Sequence, residues 1–297
     1  MAANGSSPVR ALAPSVPATA WITTERLLGD TRILASALPA ELDGIVGMAR
    51  SGLLPATWLA CHLHVPLAAV SESGHISVGG GWRSRKFHRQ YAQVLLVDDT
   101  VCSGRTMKSI LPILEAAYPS ARILTAAIYS SNMTVPWLNY AVRYYPSTHY
   151  LEWNFFNSQP FMQCASDMDG IFCTDIRPEH DDDGPKYLRA IREAVPLYIA
   201  RRVPVKCIIT ARLERYRLDT EAWLMRHGVR VESLIMGPWA TLTARNRRNE
   251  VVRWKAYEFA RSGLETFVES DPRQAPAIAK LAKKPVICPA AKTIYRP

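Results

Sequence analysis

Residues 94–107, VLLVDDTVCSGRTM, begin as an apolar run and end among small hydroxyl residues. A short apolar run closed by turn formers reads as a strand buried on both faces. Asp98 and Asp99 fall where that strand should end, and Thr100, Val101, Cys102, Ser103, Gly104, Arg105 and Thr106 lead on toward a helix. In an open α/β sheet, ligands collect at the C-terminal ends of strands, where helix N-termini present unpaired N–H groups. Gly104 permits close backbone approach, and the hydroxyls of Thr100, Ser103 and Thr106 add donors, so the loop suits a phosphate. Two adjacent carboxylates would repel it. They suit the hydroxyls of a sugar beside it, which makes a phosphorylated ribose the expected ligand.

The sequence around this stretch alternates helical runs with short apolar strands, such as DGIVGMA (43–49), PLAAV (66–70) and RILTAAIY (122–129). That pattern predicts a mostly parallel sheet covered on both faces. A second alternation starts at FMQCASDMD (161–169) and continues through VKCIIT, RVESLIM, TFVES and KPVIC. The expected organisation is a mobile N-terminal tail (1–20), a first α/β domain (21–158) and a second (159–297). At 297 residues, each half is long enough for its own core.

Hydrophobic residues make up 48% of the chain and charged residues 21%, which excludes a largely disordered protein. The net charge of +10 is compatible with nucleic acid but does not require it, since no finger, basic zipper or aromatic RNA-binding signature is present. Phosphorylated small molecules are the favoured partners. The six cysteines are scattered without metal-ligand spacing and read as reduced thiols of a cytoplasmic protein. The most apolar window, LLPATWLACHLHVPLAAV, is broken by two prolines and two histidines, so no membrane association is expected.

VLLVDDTVCSGRT resembles the phosphoribosyl pyrophosphate (PRPP) signature of type I phosphoribosyltransferases. GMARSG (47–52) resembles that family's pyrophosphate loop, with Ala49, Arg50, Ser51 and Gly52 facing the leaving diphosphate and a cis peptide bond that is not at proline often found there. The glycine-rich segment at 71–89 resembles the family's flexible active-site loop, which would bring Arg83, Arg85 and Lys86 over the pyrophosphate. Trp153 or Phe155, in an aromatic stretch similar to the acceptor hood of purine-type members, would stack on the acceptor base, the alternative being that these rings pack into a core.

ASDMDGIFCTD (165–175) resembles motif one of the haloacid dehalogenase (HAD) superfamily, DxDGxxxxD. The resemblance implies an Asp167 nucleophile, an Asp169 acid–base, a Thr210 hydroxyl on the phosphoryl group and a Lys255 cation. It also implies Mg2+ held among Asp167, Asp169, Glu269 and Asp271. The spacing between these motifs leaves little or no room for a cap domain. Together the resemblances imply a bifunctional enzyme that uses Mg2+ at both sites. It would transfer 5-phosphoribose from PRPP to a nucleobase-like or other nucleophile and then remove the 5-phosphate. Two alternatives stand beside it: a PRPP- or nucleotide-sensing regulator with phosphatase activity, and a nucleic-acid-associated modification or repair enzyme. The oligomeric state, a homodimer included, stays open.

Overall fold

The computed structural model describes residues 11–14, 20–79, 91–132, 134–247 and 250–297. The chain divides into two compact units, one running to Ala20 and then over Thr24–His149, the other made of Trp21–Thr23 and Tyr150–Pro297. The division therefore falls earlier than position 158, where it was expected. The reason is the aromatic stretch after Tyr150. Phe155 and Phe156 are buried with Trp21, Phe161 and Phe172 in the core of the second unit. Edge-to-face contacts, such as Trp21–Phe155 at 5.2 Å and Phe155–Phe161 at 5.4 Å, hold them there.

After β1 (Ala20–Ile22), the first unit runs through α1 (Thr24–Ala37), β2 (Gly44–Met48), α2 (Leu53–Leu63), β3 (Leu67–Val70), β4 (Ile76–Gly79), β5 (Gln93–Val101), α3 (Arg105–Ala117), β6 (Arg122–Ser130) and β7 (Tyr140–Tyr144). Its sheet has the order β4-β3-β2-β5-β6-β7. All neighbours are parallel except β4, which runs antiparallel to β3. Val94 to Val97 of β5 have no solvent exposure, as a strand covered by helices on both faces requires. On α3, Met107, Ile110 and Leu114 recur at helical spacing and are buried. The strand β4 lies in a stretch read as loop, because Ile76 and Val78 are too few to signal an edge strand.

The second unit contains β8 (His149–Leu151), which pairs with β1, then α4 (Glu152–Phe155), β9 (Cys164–Ser166), α5 (Pro185–Glu193), β10 (Cys207–Leu213), α6 (Arg217–Arg226), β11 (Leu234–Gly237), α7 (Leu242–Arg245), α8 (Glu250–Arg261), β12 (Thr266–Val268), α9 (Ala275–Ala282), β13 (Val286–Cys288) and β14 (Thr293–Tyr295). The sheet order is β11-β10-β9-β12-β13-β14, with only β14 antiparallel.

Each sheet begins in its interior and grows outward on both sides, which creates a point where the chain direction switches and a crevice opens beyond the strand ends. In the first unit that point lies between β2 and β5, where Gly47 pairs with Val97. In the second it lies between β9 and β12, where Ser166 pairs with Val268. Residues 49–52, Asp167, Asp169, Glu269 and Asp271 follow β2, β9 and β12, and Asp98 and Asp99 lie near the end of β5, whereas Thr210 is within β10 and Lys255 on α8. Among the described residues no helix is long and apolar enough to cross a membrane, and all six cysteines are free.

Candidate active sites

At the first switch point β5 carries Asp98 and Asp99 into its last turns, continuing to Val101 before the loop begins. Gly104 adopts a left-handed φ of 72° and caps α3. That conformation favours glycine. It lets the amides that open α3 follow directly on the loop, with Lys108 N–H closing the first helical bond to Gly104 C=O at 2.9 Å. Cys102, Ser103, Arg105 and Thr106 are exposed around it, while Val101 is buried. The Thr100 hydroxyl is buried with no partner among the described residues, a polar atom of the kind that a ligand or water satisfies.

Residues 49–52 follow β2 on the neighbouring strand end, and the Ala49–Arg50 peptide bond is cis. Gly52 lies against the acidic pair. A Cβ added there would stand 2.7 Å from Asp98 Oδ1 and 2.7 Å from the Met48 carbonyl oxygen, closer than any side chain tolerates. The 49–52 loop and the acidic doublet are thus in direct contact, with Arg50 exposed and Ser51 half-buried beside them. Asp99 is 3% exposed. Asp98 Oδ1 accepts the Asp99 N–H at 2.9 Å. Burial, followed by the charge of Asp99, pushes the Asp98 carboxyl up to about 8. Sequence reading treats the two as equivalent and misses this.

Arg83, Arg85 and Lys86 lie outside the described residues. The acceptor assignment to Phe155 is corrected: it is 2% exposed and packed in the aromatic core of the second unit, where no base can reach its ring. Trp153 is half-buried on the same short helix.

At the second switch point Asp167 leaves the end of β9 and Glu269 the end of β12. Lys255 reaches up from α8 between them. Its Nζ donates to Asp167 Oδ2 at 2.7 Å and to Glu269 Oε2 at 2.8 Å. All three are buried, Lys255 to 2% exposure. Burial opposes the charge on Lys255, but Asp167 and Glu269 outweigh it and hold the ammonium above the ordinary lysine range. Asp167 itself is pushed upward by burial and by Glu269 and Asp169, with Lys255 acting against them. Its other oxygen, Oδ1, accepts the Met168 N–H at 2.8 Å.

These groups open onto a cavity of about 680 Å³. Asp169 lines it, with its carboxylate gripped by the Arg212 guanidinium. Asp175, the last acid of the DxDGxxxxD pattern, stands at the exposed mouth. The part of it withdrawn from solvent, together with the charges of Asp169, Glu269 and Asp271, pushes its carboxyl upward. Sequence reading quotes this residue within the motif and assigns it no role. It also assigns none to Asp181 and Arg245, which line the cavity as an ion pair at 2.5 Å.

Two expectations change. Thr210 has no solvent exposure, and its hydroxyl accepts the Arg212 N–H at 3.2 Å; Ala211 and Arg212, not Thr210, line the wall. Thr210 sits inside β10, where the register against β11 shifts between Thr210 and Leu213, and the hydroxyl bonds back onto its own strand. The resemblance gives Mg2+ to Asp167, the main-chain carbonyl of Asp169 and one of Glu269 and Asp271, and among the described residues no group of three or more acidic, histidine or cysteine side chains converges there. Lys255 fills the space between Asp167 and Glu269, Arg212 holds Asp169, and Asp271 is paired with Arg273 at 3.0 Å. Among the described residues the cavity lining has six acidic against four basic side chains. An oxygen-rich surface fits a hard divalent cation.

The comparisons with known proteins bear on the first half. Residues 32–163 match the family model of the phosphoribosyl transferase domain. The chain is 34% identical over 109 residues to orotate phosphoribosyltransferase 2 of Mesorhizobium japonicum, a stretch that is 35% of this chain and 52% of that protein. It therefore spans about half the length of that curated relative. Among solved structures it is similar to a purine phosphoribosyltransferase from Pyrococcus horikoshii, at 22% identity and TM-score 0.38 over 46% of this chain and 93% of the other. It is also similar to the xanthine-guanine-hypoxanthine phosphoribosyltransferase of Helicobacter pylori, at 15% identity and TM-score 0.39 over 47% and 94%. The segment at 32–163, with Asp98, Asp99 and the loop to Thr106 at its centre, is the part of the chain that is similar to phosphoribosyltransferases.

Proposed function

We propose that the chain is a bifunctional enzyme: its first unit transfers 5-phosphoribose from PRPP to a nucleobase-like acceptor, and its second hydrolyses the 5-phosphate of the product. The contact of Gly52 with Asp98 carries the first assignment, because it joins the diphosphate loop to the ribose-binding acids at one switch point. Amides at the start of α3 and the loop hydroxyls would hold the 5-phosphate. Asp99 and Asp98 would accept the ribose hydroxyls, and Arg50 with Ser51 would face the departing diphosphate, with which Mg2+ would travel. Fixing both ends of the sugar presents its anomeric carbon to the acceptor, and orientation of this kind supplies several kcal/mol of a barrier.

The phosphatase assignment rests on Lys255 bridging Asp167 and Glu269 at adjacent strand ends, with Asp169 beside them. Asp167 would attack phosphorus while Asp169 serves the leaving oxygen and then water, and Lys255 would offset the carboxylate–phosphate repulsion. Mg2+, held by Asp167 and the acids at the cavity mouth, would supply Lewis acidity to the phosphoryl oxygens.

The test is product analysis by mass. PRPP, Mg2+ and a panel of nucleobases incubated with the whole chain should yield pyrophosphate and a phosphate-free riboside. Pyrophosphate release with no riboside from any acceptor would refute the transfer, and an accumulating 5-phosphate would refute the hydrolysis. Tight PRPP binding without either product would move the assignment to a sensor.

A further inference from the structure

Arg212 is among the largest side chains of the chain that are wholly buried, and it is charged. Its guanidinium meets Asp169 through three hydrogen bonds: Nη2 to Oδ1 at 2.6 Å, Nε to Oδ2 at 3.0 Å and Nε to Oδ1 at 3.2 Å. The fork is anchored from behind, with Nη1 donating to Thr220 Oγ1 at 3.3 Å and Nη2 to Cys173 Sγ at 3.3 Å. An arginine with no exposed side-chain surface is poorly placed to grip a substrate phosphate. It is well placed to grip the acid that faces one. The Asp169 side chain retains 21% exposure, against 0% for Arg212, so the pair has a dry end and a wet end.

We propose that Arg212 is a positioning residue for the phosphatase reaction: it locks both oxygens of Asp169 into the orientation that reaches the leaving group, without touching substrate. The inference rests on the phosphatase reading of the second unit. A single carboxylate on a loop after a strand is free to rotate about two torsions, whereas a bidentate planar partner fixes both. Lysine cannot reproduce that fork. Burial of the guanidinium among Thr220, Cys173 and Tyr187 gives the fork one geometry, and the Arg212 backbone N–H bond to Thr210 Oγ1 holds its main chain within β10.

The experiment measures kcat and KM for a simple phosphate monoester, p-nitrophenyl phosphate with Mg2+, on the full chain and its variants. Arg212→Lys should lower kcat roughly 10- to 100-fold, as a misplaced catalytic group does, with KM nearly unchanged because no substrate contact is lost. The double variant Arg212→Lys/Asp169→Asn should be no slower than Asp169→Asn alone, since residues that act through one another are not additive. Thr220→Val, which keeps the arginine and removes only its rear anchor, should cost about threefold in kcat with KM unchanged. That variant carries the test if Arg212→Lys fails to fold. Wild-type kcat in both Thr220→Val and folded Arg212→Lys would overturn the inference. So would a double variant slower by the product of the single effects, or a rise in KM as the main change. A wild-type chain no more active than Asp167→Asn would instead overturn the phosphatase reading, and the inference with it.

Discussion

The two units place their sites at the same point of similar sheets and build them from opposite materials. Around Asp98 the working parts are largely backbone: the helix N-terminus at Gly104, the loop amides and a glycine pressed against the acid. Around Asp167 they are side chains already paired with one another, Lys255 to two acids and Arg212 to a third. A backbone cradle suits a polyanion that arrives with its own cations. A prewired charge cluster suits a covalent step, where a nucleophile has to be held and its repulsion from phosphate offset before substrate appears.

The sharpest way to break this comparison is Asp167→Asn. Asparagine keeps the shape and cannot form the aspartyl phosphate, so hydrolysis of a phosphate monoester should fall by on the order of 1,000-fold or more. Pyrophosphate release from PRPP should stay at the wild-type rate. Loss of both activities together would mean that the units do not act as separate sites.

The contrast also explains what was legible in the sequence. VLLVDDTVCSGRT is contiguous because strand, acids and helix start follow one another along the chain, and backbone recognition needs neighbours in sequence. GMARSG reads for the same reason. The ensemble around Asp167 draws on residues as far apart as Lys255, and the DxD at a strand end reads by itself equally as a metal site or a turn cap. Side-chain direction was not legible. Thr210 turns inward and Phe155 joins a core, because neighbouring packing that no local pattern encodes decides where each points. The Asp181–Arg245 pair spans 64 positions, and a charge run gives no sign of which member pairs with which acid. Asp175 was legible and passed over, being the final letter of a pattern already written down.

A smaller effect sharpens the comparison at the backbone site. Gly52→Ala adds one methyl group within 2.7 Å of Asp98 Oδ1 and the Met48 carbonyl. The carbonyl belongs to a buried strand end and cannot swing aside, so the loop has to move. A displacement near 1 Å should cost PRPP turnover on the order of 100-fold. Hydrolysis at Asp167 should be untouched, as read with the same phosphate monoester. Wild-type PRPP kinetics in Gly52→Ala would show that the loop does not depend on that approach.

The smallest effect is read in stability, not rate, and it concerns the proton on Asp98. Its carboxyl is raised from 3.8 to about 8 in the folded chain, first by burial and then by Asp99. Between those values the folded state holds a proton that the unfolded state has released, so stability falls as pH rises. The contribution is fully present below the unfolded value and is lost as pH climbs through 8. From pH 6 to pH 8 it amounts to about 2 kcal/mol. Asparagine mimics the protonated acid in both states, so Asp98→Asn should remove this slope, and its advantage over the wild type should be larger at pH 8 than at pH 6 by about 2 kcal/mol, vanishing only below the unfolded value. Denaturant midpoints of the first unit at the two pH values, without substrate, measure it directly. Parallel curves for wild type and Asp98→Asn would mean that Asp98 is as solvated as an ordinary carboxylate. The first site would then hold its acid in water and the second would bury its own, a deeper difference between the two than the one drawn from backbone and side chain.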